Sequence, residues 1–134
     1  MLECLVLGDS IGVGIGMYKH HCEVHAKVSI NSVNWNRRWL TQQISANKVI
    51  ISLGSNDWSG PVTRHELELL RSHVTAGSRV TWIVPAIKPA IRAVVESIAR
   101  ANGDGMIDLL SIPRGPDGVH PTGAGYNMIA KLTG

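Results

Sequence analysis

Nowhere in the sequence do apolar residues run for anything near eighteen positions, the length a helix needs to cross a bilayer. No transmembrane helix is therefore expected. The N-terminus has no basic region ahead of its short apolar stretch, and Glu3 interrupts that stretch, so no secretory signal is expected in this chain. Charge of one sign is scarce too. The formal net charge is +3, with lysine and arginine scattered apart from Arg37-Arg38, which argues against a nucleic-acid partner. The only two cysteines are Cys4 and Cys22, in neither a zinc nor a CxxC spacing. They read as two reduced thiols in a cytosolic setting. There is no internal repeat and no low-complexity linker.

What is present suits one soluble globular domain spanning residues 1–134, with 44% hydrophobic and 17% charged residues. A chain of this length buries ~68% of its unfolded surface. Short apolar runs alternate with helix-like segments throughout. Leu2 to Leu7 reads as a buried strand that stops at Gly8-Asp9-Ser10. A glycine-rich segment bounded by Ile11, Val13, Ile15 and Met17 then suggests a short, closely packed helix ending near His21. Val24 to Ile30 is a second strand, and Trp35, Trp39, Leu40 and Ile44 recur at roughly helical spacing.

Lys48 to Leu53 is a third strand, ended by Gly54. Thr63-Arg64-His65-Glu66 has the form of a capping box. Behind it, Leu67, Leu70 and Val74 make one apolar helical face, which Gly77 closes. Val80 to Val84 is the fourth strand. A helix opening at Pro89 carries Ile91, Val94, Val95 and Ile98, and Gly103 stops it. Met106 to Leu110 is the fifth strand, and a last helix carries Tyr126, Ile129 and Leu132. Continuous apolar strands alternating with helices imply a parallel sheet covered on both faces. The expected architecture is a three-layer α/β/α sandwich with flavodoxin-like strand order 2-1-3-4-5.

In such a sheet every strand-to-helix loop opens on the same edge. Ser10 follows strand one, Asn56 follows strand three within Gly54-Ser55-Asn56-Asp57, and His120 follows strand five within Asp117-Gly118-Val119-His120. Serine attack needs a base, the base needs an orienting acceptor, and the developing oxyanion needs donors. His120 can take the Ser10 proton, Asp117 can hold its other ring nitrogen, and Asn56 can offer its amide beside the Ser10 N–H. Asp9 is expected to tie the first turn to neighbouring backbone, and Asp57 to anchor its own loop.

These residues make the sequence resemble the SGNH (GDSL-type) hydrolases over essentially the whole chain. Gly8-Asp9-Ser10 is similar to the family's first block, Gly54-Ser55-Asn56-Asp57 to its third, and Asp117-Gly118-Val119-His120-Pro121 to its fifth. The resemblance implies Ser10 as nucleophile, His120 as base, Asp117 as its partner and Asn56 as an oxyanion donor. The family's second block supplies a glycine whose N–H completes the oxyanion hole; here the best alignment places Ser32 at that position.

The implied activity is a serine esterase that uses an acyl-enzyme and neither metal nor organic cofactor. Short connections without a lid suit a small, acetyl-like acyl group, such as one on a carbohydrate or cell-wall sugar. A lysophospholipid or thioester substrate is the alternative. The resemblance also implies a cytoplasmic or phage-particle setting. Trp58 and Trp35 each follow a rim loop and are candidate substrate contacts, whereas Trp39 and Trp82 read as core.

Three rival readings draw on other residues. Gly12, Gly14 and Gly16 follow a strand, but their spacing is GxGxG and no acidic residue ends strand two, which argues against a dinucleotide. His20, His21, Cys22 and His25 are metal ligands by type. They straddle a helix end and a strand start, so their side chains should diverge on a solvated surface. A carbohydrate-binding module that kept the triad by descent is the non-enzyme alternative.

Overall fold

The computed structural model describes residues 2–40 and 43–134. Strand β1 (Leu2–Gly8) leads into α1 (Ser10–Met17), β2 (Glu23–Ala26), α2 (Ser32–Trp39) and β3 (Ala46–Ser52). Then come α3 (Gly60–Ser72), β4 (Arg79–Val84), α4 (Pro89–Ala101), β5 (Gly105–Asp108), a 3-10 turn (Leu109–Ser111) and α5 (Gly123–Leu132). The strands form one parallel sheet in the order β2-β1-β3-β4-β5, as the alternation of apolar runs and helices predicts.

Alternate side chains of each strand face opposite layers. Leu5 and Leu7 of β1, Val49 and Ile51 of β3, and Val80 and Trp82 of β4 pack with Trp35, Leu67, Leu70, Val95 and Ile98 of α2, α3 and α4. Val6, Ile50, Ile83 and Ile107 point the other way, against Ile11 and Ile15 of α1 and Ile129 of α5. Truncating a fully buried residue such as Ile51 or Leu70 to alanine would cost about 2–5 kcal/mol. Two glycines serve the site directly. A Cβ at Gly8 would run into the Ser52 carbonyl of β3, so β1 and β3 can approach here only without one. Gly54 turns the chain out of β3 at φ +122, in the region L side chains rarely adopt.

Several boundaries differ from the sequence reading. The first helix ends at Met17, short of His21, and β2 ends at Ala26. Its expected continuation, Lys27 to Ile30, is a turn in which Ser29 has φ 67 and the Ile30 N–H donates to the Lys27 carbonyl. Helix α3 begins before the capping-box pattern: Ser59 is its N-cap and accepts from the Val62 N–H. Thr63 instead lies inside the helix and donates its hydroxyl to Asp57 at 2.7 Å. Ile44 and Val74, both read as helical, pair with each other in a single parallel bridge between connecting segments. The last strand stops at Asp108, whose carboxylate caps the 3-10 turn that follows.

The cysteines are the clearest correction. Cys4 and Cys22 form a disulfide, with Cα atoms 4.5 Å apart, in place of the two free thiols expected. The strand register is the reason. Leu5 of β1 lies opposite Glu23 of β2, so the residues just before each, Cys4 and Cys22, meet across the pair.

Candidate active site

Ser10 opens α1 immediately past the carboxyl end of β1, in the position where α/β sheets present ligand-binding groups. It is not the helix cap. Asp9 fills that role, its Oδ1 accepting from the Ile11 N–H at 3.0 Å, which leaves the Ser10 hydroxyl for other partners. Ser10 Oγ lies 2.7 Å from His120 Nε2, bridging 110 residues of sequence.

His120 is delivered by the loop between the 3-10 turn and α5. Arg114 braces that loop, donating to the carbonyls of Gly118 and Ile112 at 3.0 and 3.3 Å. Within it, Asp117 Oδ1 accepts from the backbone N–H groups of Val119 and His120, at 2.9 and 3.0 Å. Asp117 Oδ2 stands 2.6 Å from His120 Nδ1. The two backbone donors and the imidazole lower the Asp117 carboxyl to about 2. Asp117 is thus an ionised, acceptor-only group at neutral pH, so the imidazole hydrogen belongs on Nδ1. Nε2 then carries its lone pair toward the Ser10 hydroxyl. The His120 and Asp117 side chains are about half exposed, at 45% and 52%.

Asn56 arrives from the β3–α3 loop. Its Nδ2 donates one hydrogen to the Ile30 carbonyl at 3.0 Å, which orients the amide and leaves the second hydrogen available. Asn56 also lines a cleft of about 180 Å³ walled by Val33, Trp58 and Val62. Ser10, Asn56, Asp117 and His120 therefore stand on the edge of the sheet where the strand-to-helix loops open.

No family model matches this sequence, and no curated protein matches it. Solved structures do match. A lipolytic protein of the G-D-S-L family from Veillonella parvula is 16% identical, with a TM-score of 0.66 over 98% of this chain and 95% of that one. An M. smegmatis aryl esterase is 14% identical, with a TM-score of 0.66 over 99% and 97%. The C-terminal catalytic domain of peptidoglycan O-acetyltransferase A from Streptococcus pneumoniae is 18% identical, with a TM-score of 0.60 over 98% and 87%. The fold is that of the SGNH hydrolases.

Within this SGNH fold, the second-block position departs from the sequence expectation. Ser32 is buried at the start of α2, and its N–H donates to Asp57 Oδ1 at 3.0 Å. That N–H is committed to a carboxylate, whereas the alignment offers it to the oxyanion. The Ser32 hydroxyl, also buried, has no hydrogen-bond partner among the described residues. Asp57 does anchor its loop, through Ser32 on one side and Thr63 on the other.

The two candidate tryptophans separate. Trp35 is 1% exposed and donates its indole N–H to the His25 carbonyl; it belongs to the core. Trp58 is 86% exposed, with the Lys88 ammonium 3.6 Å above its ring. Lys88 is the residue that spacing did not reveal. It holds φ 62, unusual for a side chain with a Cβ, and donates to the Ser55 carbonyl at 2.8 Å, one residue from Asn56. Asp9 also carries more than a turn. Burial pushes its carboxyl up to about 7, and Oδ2 has no hydrogen-bond partner among the described residues.

The expected divergence of the histidine-rich segment is partly revised. Cys4, His21 and Cys22 bring their ligand atoms within 4.8 Å of one another, but both sulfurs are used by the disulfide. His25 pairs with Glu23 at 3.0 Å instead. Among the described residues, no helix is long and apolar enough to cross a membrane.

Proposed function

We propose that this protein is a serine esterase acting through an acyl-enzyme. The observation that carries the proposal is the unbroken chain of short contacts from Ser10 Oγ through His120 to Asp117, 2.7 and 2.6 Å long. Ser10 Oγ adds to the ester carbonyl as its proton passes to His120 Nε2. The second Asn56 amide hydrogen and the Ser10 N–H stabilise the oxyanion. Collapse breaks the bond to the alcohol, which leaves with the proton from His120. Water then attacks the acyl-Ser10 carbonyl, again giving its proton to His120. The carboxylic acid departs, and the proton returns to Ser10. Asp117 remains a carboxylate throughout and stabilises the transient imidazolium.

A small acyl group on a large alcohol is the best-supported substrate. The cleft beside Asn56 holds about 180 Å³, too little for a long acyl chain. The half-exposed triad leaves the leaving-group side open to a bulky partner. The exposed Trp58 ring offers an apolar face of the kind that sugar rings stack on. The Cys4–Cys22 disulfide suits an oxidising compartment, which favours an extracytoplasmic glycan ester over a cytosolic thioester.

The test is a 4-nitrophenyl ester series from acetyl to octanoyl, with a fluorophosphonate probe in parallel. Turnover should peak at the shortest chains. Ser10→Ala should lose about 10⁴-fold or more while still unfolding cooperatively. The probe should label Ser10 and no other residue. Labelling of Ser55, or retained turnover in Ser10→Ala, would overturn the assignment.

A further inference from the structure

The turn that replaces the expected end of β2 creates a surface the catalytic chemistry leaves unused. Lys27, Ser29, Ile30, Asn34, Arg37 and Arg38 are among the residues lining an open groove of about 590 Å³ between this turn and α2. Among the described residues, no carboxylate lines it. Neither Lys27 nor Arg37 has an ion-pair or side-chain hydrogen-bond partner among the described residues, and both are exposed. The Arg38 guanidinium lies 4.8 Å from the Trp39 ring centroid, a contact that leaves its forked N–H groups able to bind an anion.

Interaction with the helix dipole gives a reason for Arg37 and Arg38 to occupy the last turn of α2. It gives none for Lys27, which comes from a different element and adds a third positive charge to the same groove. Three like charges without a counter-charge repel one another, and an anionic ligand removes that repulsion.

The groove is joined to the catalytic rim by two hydrogen bonds. The Lys27 N–H donates to the Gly8 carbonyl at 3.0 Å, two residues before Ser10. The Ile30 carbonyl, in the groove wall, accepts from the Asn56 amide at 3.0 Å. The groove therefore adjoins the end of β1 that leads to Ser10 and the loop that carries Asn56.

We propose that this groove binds the anionic groups of an acidic polysaccharide, so that the substrate is an O-acylated acidic glycan. This rests on the esterase reading for its ester and its attacking serine. The groove itself rests only on charge and position. A glycan is favoured over other polyanions because it carries the acylated hydroxyls that Ser10 requires and the rings that Trp58 can stack on.

The experiment compares acetylated pectin, which is acidic, with acetylated xylan, which is neutral, and uses 4-nitrophenyl acetate as a small control. The wild type should show a KM at least five-fold lower for pectin than for xylan, and that advantage should fade as salt is raised. The double variant Lys27→Glu, Arg37→Glu should raise the pectin KM about ten-fold, with kcat and 4-nitrophenyl acetate turnover unchanged. The neutral pair Lys27→Gln, Arg37→Gln should fall between.

Binding of unacetylated polygalacturonate to Ser10→Ala, measured by calorimetry, reads the groove without any catalysis. If that binding is present but no ester is turned over, the esterase reading fails and the groove stands. If esters are cleaved but pectin, salt and the charge reversals make no difference, the groove proposal is overturned. Binding to anionic phosphatidylglycerol vesicles without binding to polygalacturonate would also overturn it, in favour of a lipid surface.

Discussion

The Ser32 backbone N–H donates to the Asp57 carboxylate across a buried 3.0 Å bond, tying the start of α2 to the loop that carries Asn56. This bond uses the donor that a third oxyanion contact would need. With that N–H occupied, Ser32→Gly should change kcat/KM by no more than a few-fold. A gain approaching 10²-fold would instead mean that the position can reach the oxyanion. Ser32→Ala removes a buried hydroxyl that has no hydrogen-bond partner among the described residues, so its stability should be unchanged or higher by up to about 1 kcal/mol. Ester kinetics of the first variant and urea denaturation of the second read these outcomes.

Asp57→Ala should be far more damaging, and in a different way. It leaves both the Ser32 N–H and the Thr63 hydroxyl without their acceptor. Each buried donor without a partner costs about 1–3 kcal/mol, so the denaturant midpoint should drop clearly. Because the Asn56 loop loosens too, kcat should fall along with stability. An unchanged midpoint would show that the loop is held by other contacts.

Asn56→Ala separates transition-state stabilisation from substrate binding. If the free amide hydrogen meets the oxyanion, kcat should fall about 10²–10³-fold with little change in KM. The lost bond to the Ile30 carbonyl should appear separately, as a stability cost of about 1 kcal/mol. A rise in KM at constant kcat would mean that Asn56 binds ground-state substrate instead.

Asp9 makes stability depend on pH in a definite direction. Burial raises its carboxyl from 3.8 to about 7 in the folded chain. Between those values the folded state keeps a proton that the unfolded state releases. Stability therefore falls as pH rises through this window and levels off above it. Asp9→Asn keeps an oxygen for the Ile11 N–H and cannot ionise. The variant should lack this fall, so its Tm relative to wild type should improve between about pH 5 and about pH 8. A gap that stays constant across that range would show that Asp9 does not titrate there.

The Cys4–Cys22 bond closes a short loop, its cysteines 18 residues apart in sequence. A crosslink of that span stabilises by about 3 kcal/mol through the unfolded chain. Thiol titration of the denatured, unreduced protein should find no free cysteine, and reduction should lower Tm by several degrees. Two titratable thiols in protein purified under oxidising conditions would restore the reading as a reduced pair.

The sequence alone was enough to determine the order of elements, the sheet topology and the loops that open on one edge of the sheet. The signals behind these are local. Apolar runs are bounded by glycines at Gly8 and Gly54, helical periods run from Leu67 to Leu70 and from Ile91 to Ile98, and one parallel sheet sends every such loop to the same edge. Tertiary structure decided what depends on which neighbours are brought together. Trp35 and Trp58 both follow rim loops, yet one is sealed between α2 and the sheet and the other stands in solvent. Cys4 and Cys22 meet because the β1–β2 register sets them opposite each other. The Ser32 N–H goes to Asp57, and Lys88 folds back onto Ser55 and Trp58. A donor's partner and a ring's burial follow from the packing of segments far apart in the chain, and no local pattern carries that information.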